Sequence, residues 1–313
     1  MKYQIRNGRF EMPSQRGAAR FSEIVKWQMS GSRAKWPRLV PNAIYPPPPV
    51  RVEGADIAAT WIGHSTILIQ TAGVNILTDP FFSKRASPSQ LIGPARVRAP
   101  GIALKDLPPL DLILLSHNHY DHLDKRALKW LARHHKAKLI TPLNNQRHAR
   151  GFATEELDWH HSTELGGLKI TALPALHWSK RSFSDTNKSL WGAFMIEGEM
   201  GPIYFAADTG FGAGNTFREV REKFGPPRLS LLPIGAYEPR WFMAAYHMNP
   251  QEAVRAHLLL GSKTSLSIHH GTVQLTDEAI DAPAQALDEA LAAAGLSRAD
   301  FVVPDIGETI FIS

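Results

Sequence analysis

The run Ser116-His117-Asn118-His119-Tyr120-Asp121-His122 lies between the apolar stretch LDLILL at 110–115 and the helix-like stretch DKRALKWLARHH at 124–135. A chain carrying it must end a strand, turn and enter a helix within a few residues. In an extended segment side chains at i and i+2 point the same way, so His117 and His119 can grip one cation. Asp121 and His122 fall after the bend and can serve a second. Imidazole and carboxylate donors at this spacing suit zinc, which in catalytic sites keeps a position open for water. A histidine-rich surface turn is the competing reading, but HxHxDH is far more restrictive than a lone HxH.

The remaining ligands must come from elsewhere, and each later strand-like run ends in a candidate. LKITALPAL runs into His177, PIYFAA into Asp208, and TSLSI into His269 and His270. Metal sites in α/β folds gather where strand-end loops converge on one rim. Four strand ends then yield seven ligands: His117, His119 and His177 for one ion, Asp121, His122 and His269 for the other, and Asp208 between them. His269 is preferred over His270, although side-chain direction is not legible in sequence. The expected cofactor is two Zn2+ per chain. A hydroxide between ions about 3.5 to 4 Å apart is a strong nucleophile at neutral pH toward phosphorus, a carbonyl or a lactone. Asp121 and Asp208 are then catalytic as well as ligating, because they orient it.

HxHxDH followed by later His, Asp and His resembles the metallo-β-lactamase fold, which implies an α/β chain folded as a four-layer αββα sandwich with a dinuclear site on one edge. The likeness narrows through WIGHSTILIQ (61–70), ILTDPFFSKRASPSQLIGPARVR (76–98), SHNHYDHLD (116–124), LPALHWSKRSFSDTNKSLWG (173–192), AADTGF (206–211) and LLPIGAYEPRWFMAAYHMNPQEAVRAH (231–257). Together these are similar to the family of N-acylphosphatidylethanolamine-hydrolysing phospholipases D, from about Trp61 to the C-terminus. That resemblance implies a zinc phosphodiesterase of phospholipase D type, releasing phosphatidic acid and N-acylethanolamine. Within the same segments His247 is the candidate to bind phosphate or assist the leaving group. Tyr237, Arg240, Trp241, Phe242 and Met243 form a candidate wall for acyl chains beside charge, with Lys188 and Arg181 as candidate phosphate contacts. His64 and Asp79 are candidates to orient metal ligands, as metal-bound histidines usually require. One departure is His270, where the family leads one to expect an aromatic. The alternative reading is a zinc hydrolase of the same fold acting on a soluble lactone or on a cyclic or nucleic-acid phosphodiester.

At 313 residues, with 43% hydrophobic, the chain suffices for one large core. It reads as an N-terminal extension at 1–50, packed on the core or facing membrane, and a catalytic domain at 51–313, joined through the stiff run Pro46–Pro49. Cysteine is absent, which excludes disulfides and thiolate ligands. No run approaches the roughly 18 apolar residues of a membrane span, and MKYQIRNGRFEMPSQRG lacks the apolar core of a secretory signal. A cytoplasmic protein in peripheral contact with membrane is expected. The net charge of +6 and pI near 9.5 favour anionic partners. The basic residues read as spread along the chain, and no segment resembles a nuclease exosite arm, so phospholipid rather than nucleic acid is the expected partner, with a homodimer as the expected assembly. FSEIVKWQMSGSRAKWPRLVP at 21–41 mixes Phe21, Trp27, Met29 and Trp36 with Lys26, Arg33, Lys35 and Arg38, which suits either a membrane interface or a segment folded back on the core.

Periodicity predicts strands at about 57–70, 73–78, 111–115, 138–141, 168–173, 190–197, 202–206, 229–233, 264–268, 300–303 and 308–312. Helices are predicted at about 124–135, 215–223, 250–260 and 283–294, the third opening with Asn249 as N-cap and Pro250 at its first position.

Overall fold

Several strands of this chain are unbroken apolar runs because both of their faces are covered. The computed structural model describes residues 2–12, 21–29, 31 and 33–312, apart from the side chains of Phe21 and Gln28; part of the 1–50 extension, and the Phe21 contact expected of it, lie outside the described residues. In chain order the elements are β1 (Gln4–Arg6), β2 (Arg9–Glu11), α1 (Phe21–Met29), β3 (Ile57–Gly63), β4 (Thr66–Thr71), β5 (Val74–Thr78), β6 (Leu112–Leu114), α2 (Lys125–His134), β7 (Lys138–Pro142), β8 (Ala153–Leu157), β9 (Ser162–Leu165), β10 (Leu168–Leu173), β11 (Ala193–Glu197), β12 (Ile203–Phe205), α3 (Asn215–Phe224), β13 (Leu229–Pro233), α4 (Arg240–Met243), α5 (Pro250–Leu260), β14 (Thr264–Ile268), α6 (Ala282–Ala293), β15 (Phe301–Val302) and β16 (Thr309–Ile312).

Two seven-stranded sheets result, ordered β16-β3-β4-β5-β6-β7-β8 and β15-β14-β13-β12-β11-β10-β9. Alternate residues of each strand serve different layers. Ile67, Ile69, Ile76, Leu112 and Leu114 of the first sheet meet Ile170, Phe194, Phe205, Leu231 and Ile268 of the second in one central core. Their neighbours Leu68, Leu77 and Ile113 turn outward onto Leu128 and Leu131 of α2. Met195, Tyr204 and Leu232 likewise turn outward onto α3, α5 and α6. The layers are therefore helix, sheet, sheet, helix, the expected αββα sandwich. Side chains buried on both faces contribute about 1.5 to 3 kcal/mol each, which makes this core the main support of the site above it.

The helices start where their caps dictate. The Asp124 carboxylate accepts from the amides of Arg126 and Ala127, and its second oxygen accepts from Phe82 and Ser83, tying the loop after β5 to α2. Asn249 and Glu252 form a capping box with Pro250 in the first turn of α5. The single strand predicted at 57–70 is two strands, because Gly63 and His64 both take positive φ (134° and 58°) and fold the chain into a hairpin. The unpredicted β8 and β9 are half-buried edge strands, ATEEL and STEL, whose polar residues hide any alternation. Among the described residues no helix is long and apolar enough to cross a membrane.

The described part of the N-terminal extension lies on the rest of the chain. Phe10 and Met12 join Trp159 and Trp191 in a small core, and the Tyr3 hydroxyl donates to Asp158 at 2.7 Å. Trp27 Nε1 donates to Asp277, Trp36 Nε1 donates to the Glu278 carbonyl, and Trp27 stacks on Phe242 at 5.4 Å.

Candidate metal centre and pocket

The pairs β5-β6-β7 and β12-β13-β14 run parallel, so their C-terminal ends share one rim. Asp79 follows β5, the HNHYDH run follows β6, His177 follows β10, Asp208 follows β12 and His269 follows β14. Backbone strain concentrates there: His64, Asp79, Ala207, Ala236 and His269 all adopt positive φ, which non-glycine residues hold only where the surrounding structure enforces it. Gly235 has no room for a Cβ, because one would strike the His269 carbonyl.

Two groups of donors form. In the first, His119 Nδ1 lies 2.9 Å from His117 Nε2 and 3.2 Å from His177 Nε2. His177 Nδ1 donates to the Tyr246 carbonyl, which leaves its Nε2 lone pair toward the centre. In the second, Asp121 Oδ2 lies 3.4 Å from both His122 Nε2 and His269 Nε2. Asp208 Oδ2 stands between the groups, 3.2 Å from His122 Nε2, 3.1 Å from His269 Nε2 and 3.7 Å from His177 Nε2. All seven expected ligands are brought together. Donor atoms of His117, His119 and His177, and of Asp121, His122 and His269, lie within 4.8 Å of one another in each group.

His64 and Asp79 stand where they orient these groups. His64 Nε2 lies 2.9 Å from Asp121 Oδ2, and Asp79 accepts from the Ser116 amide, the Ser116 hydroxyl and His122 Nδ1 at 2.6–2.7 Å. With Nδ1 donating to Asp79, His122 presents Nε2 to the centre. His122 Nε2, His269 Nε2 and Asp208 Oδ1 are buried without a hydrogen-bond partner. Buried polar atoms are otherwise almost always paired, so nitrogen and carboxylate oxygen converging unpaired fit cation ligation.

The electrostatics divide the cluster. Burial, then the neighbouring histidines, hold His117 far below the ordinary imidazole value. Burial likewise takes His119 down to about 4 and lowers His177 strongly, against the pull of Asp121 and Asp208 respectively. In the second group burial acts against charge on His122 and His269, but Asp208 and Asp121 outweigh it, raising His122 well above its usual range and His269 to about 9. Burial would raise Asp121 and Asp208; the charge on His122 instead holds both carboxyls well below theirs.

A cavity of about 220 Å³ opens over the cluster, floored by His119, Asp121, His177, Asp208 and His247. Its walls are Trp178, Phe242, Met243, Tyr246 and Leu275, and Ile24 and Trp27 of α1 close it from the N-terminal side. The His247 ring is 5.1 Å from His177 and 5.4 Å from His269; its Nδ1 is unpartnered and burial depresses it to about 4, so it is neutral at pH 7. His269 is the neighbour that reaches the cluster. His270 instead lies 3.0 Å from Ser267 Oγ and stacks on Trp61 at 4.7 Å, which gives the chain its aromatic-like contact there.

Several expected substrate contacts are placed elsewhere. Arg240 is committed to the His247 carbonyl at 3.0 Å and to Glu252 at 2.7 Å, and so braces the loop. Arg181 donates to the carbonyls of Asn118 and Leu123 and covers the Tyr120 ring, while the Tyr120 hydroxyl donates back to its carbonyl, clamping the histidine run. Lys188, the buried Tyr237 and Trp241 are absent from the cavity lining, and Trp241 lies under Lys26. Trp178, directly after His177, and Tyr246, directly before His247, carry a signal by adjacency; Ile24 and Leu275 carry no local signal.

Residues 74–270 match the beta-lactamase superfamily domain. N-acyl-phosphatidylethanolamine-hydrolyzing phospholipase D 1 of Caenorhabditis elegans is 41% identical over 269 residues, 81% of this chain and 75% of the worm protein. The mitochondrial N-acyl-phosphatidylethanolamine-hydrolyzing phospholipase D of Saccharomyces cerevisiae is 35% identical over 259 residues, 80% of this chain and 55% of the yeast protein. Among solved structures, the metallo hydrolase Igni18 of Ignicoccus hospitalis shares the fold at 23% identity, with a TM-score of 0.61 over 82% of this chain and 99% of its own. By domain and by relatives, this chain belongs to the beta-lactamase superfamily, among the N-acyl-phosphatidylethanolamine-hydrolyzing phospholipases D, and is a metal-dependent hydrolase.

Proposed function

We propose that this chain hydrolyses N-acylated phosphatidylethanolamine to phosphatidic acid and an N-acylethanolamine, using two zinc ions. The observation that carries the reading is the union of a buried His/Asp donor cluster with an apolar cavity walled by Trp178, Phe242, Met243 and Trp27. His117, His119 and His177 would hold one ion, Asp121, His122 and His269 the other, and Asp208 both. Ions bound there would supply Lewis-acid polarisation of a phosphate and acidify water, which makes hydrolysis feasible near neutral pH.

The chain's own residues do the rest. Asp79 and His64 fix the directions of His122 and Asp121. Neutral His247 offers one N–H to a phosphate oxygen or to the departing alcohol oxygen. Apolar walls receive the acyl chains and exclude water, while the phosphodiester lies toward the donors. In the net reaction water adds to phosphorus, the bond from phosphorus to the ethanolamide oxygen breaks, and the N-acylethanolamine leaves with a proton. Trp241, 46% exposed and next in sequence to the cavity-lining Phe242, lies under Lys26, so we assign this surface to peripheral contact with an anionic membrane.

The test is turnover of N-acylphosphatidylethanolamine vesicles in oxygen-18 water. Label in phosphatidic acid supports attack on phosphorus. Label in the ethanolamide, or no lipid turnover beside rapid hydrolysis of a soluble lactone or phosphodiester, would overturn the reading.

A further inference from the structure

Residues 125–154 hold eight Lys or Arg and no Asp or Glu, so the net charge of +6 is concentrated there and the rest of the chain is slightly acidic. Basic residues are thus not evenly spread, as their scatter along the whole sequence suggested. On α2, Lys125, Lys129 and Arg133 recur at i, i+4 and i+8 and share one face, bordered by the buried Leu128. The turn between β7 and β8 brings Arg147, His148 and Arg150 beside them. Together they line a concave groove of about 580 Å³, larger than the cavity over the metal centre.

Among the described residues the ion pairs do not include these five cations; nearby Lys138 is neutralised by Glu155, but the groove is not. Like charges at i, i+4 weaken a helix, so the stripe opposes folding unless an anion neutralises it. The crowding registers on its members. Burial, then Lys125, Arg147 and Arg181, depresses His148 to about 4, and burial with Arg181 and Arg150 lowers Lys125.

We propose that this groove binds a small anion carrying two or more clustered phosphates, apart from the metal centre. Guanidinium forks from Arg133 and Arg150 match phosphate oxygens in pairs, Arg147, which donates to Ser189 Oγ at 3.0 Å and His148 Nε2 at 3.3 Å, adds charge from the far wall, and the two lysines add point charge. A single phosphate would leave most of these cations unpaired. Concavity favours a compact ligand over a flat membrane. Such phosphates come either as a soluble polyphosphate or as a phosphorylated inositol headgroup.

Titration calorimetry of the full chain, metal-loaded, with tripolyphosphate and with inositol trisphosphate distinguishes them. One site per chain, at least tenfold tighter than orthophosphate and weakened by salt, is expected, and the tighter of the two names the source. Lys129→Ala with Arg150→Ala should weaken it at least tenfold with metal content and circular dichroism unchanged; Lys136→Ala with Lys263→Ala should not. Affinity no better than orthophosphate, binding untouched by the first pair, or tighter binding of a single-stranded oligonucleotide that grows with length would overturn the proposal.

Discussion

Around His119 the cluster is all imidazole, and around Asp121 it sets imidazole against carboxylate. Burial keeps the first group neutral; in the second, protons on His122 and His269 take the electrostatic place of a cation between Asp121 and Asp208. One half is thus ready for a metal at any pH above the acid range, and the other must lose protons to receive one. Asp208, within 3.7 Å of donors from both, couples them.

Removing that coupling should have the largest effect. Asp208→Asn keeps the shape but would weaken the proposed bridge to both ions, and turnover is expected to fall about 10³-fold, since metal charge stabilisation is worth several kcal/mol and each 1.36 kcal/mol is a decade. Steady-state assay beside metal analysis checks this, and activity within tenfold of the parent would break the bridge assignment. His247→Ala should cost about 10²-fold, the lower range for a lost proton donor, with metal content intact. Loss of metal from that variant would move His247 into the ligand set, next to His177 and Asp208, with which it shares a donor cluster. Asp79→Asn should lower metal affinity by about 10- to 100-fold, more in the carboxylate half, where Asp79 meets His122 directly, than in the imidazole half, which it reaches only through the Ser116 hydroxyl and His117 Nδ1. A competition titration with a chelator resolves the two halves; equal weakening of both would erase the distinction between them.

The smallest effect is on the metal-free protein, and the halves give it opposite signs. His119 is lowered to about 4 in the fold, so its stabilising contribution is present above the ordinary 6.5 and lost as pH falls toward 4. His269 is raised to about 9, so its contribution is full below 6.5 and lost as pH rises through 9. Thermal unfolding after chelation should therefore show a maximum Tm near neutrality, flattened by restoring metal. A Tm of the chelated protein that climbs steadily to pH 9 would contradict the protonated second half.

Local patterns in the chain carried much of this. HxHxDH placed four donors because strand, bend and helix follow each other within the motif, and the two-sheet sandwich came from the resemblance those segments carry. Direction was what the sequence withheld. His269 is preferred over His270 in sequence but without a direction, and the fold supplies it: His269 Nε2 stands 3.1 Å from Asp208 Oδ2, whereas His270 Nε2 stands 3.0 Å from Ser267 Oγ. Arg181 and Arg240 look like phosphate binders in sequence, yet backbone carbonyls and Glu252 claim them. Helix α1 was hidden because FSEIVKWQM mixes aromatic and charged residues, and only the pairing of Trp27 with Phe242 and Asp277 shows which face turns to the cavity.

Two ions sharing the Asp208 bridge are the core of the proposed chemistry. Elemental analysis of protein purified without added metal, then titrated with zinc while hydrolysis is followed, tests it most directly. Two ions per chain are predicted, the second entering with proton release and with the rise of activity. Full activity at one ion per chain would contradict the dinuclear centre.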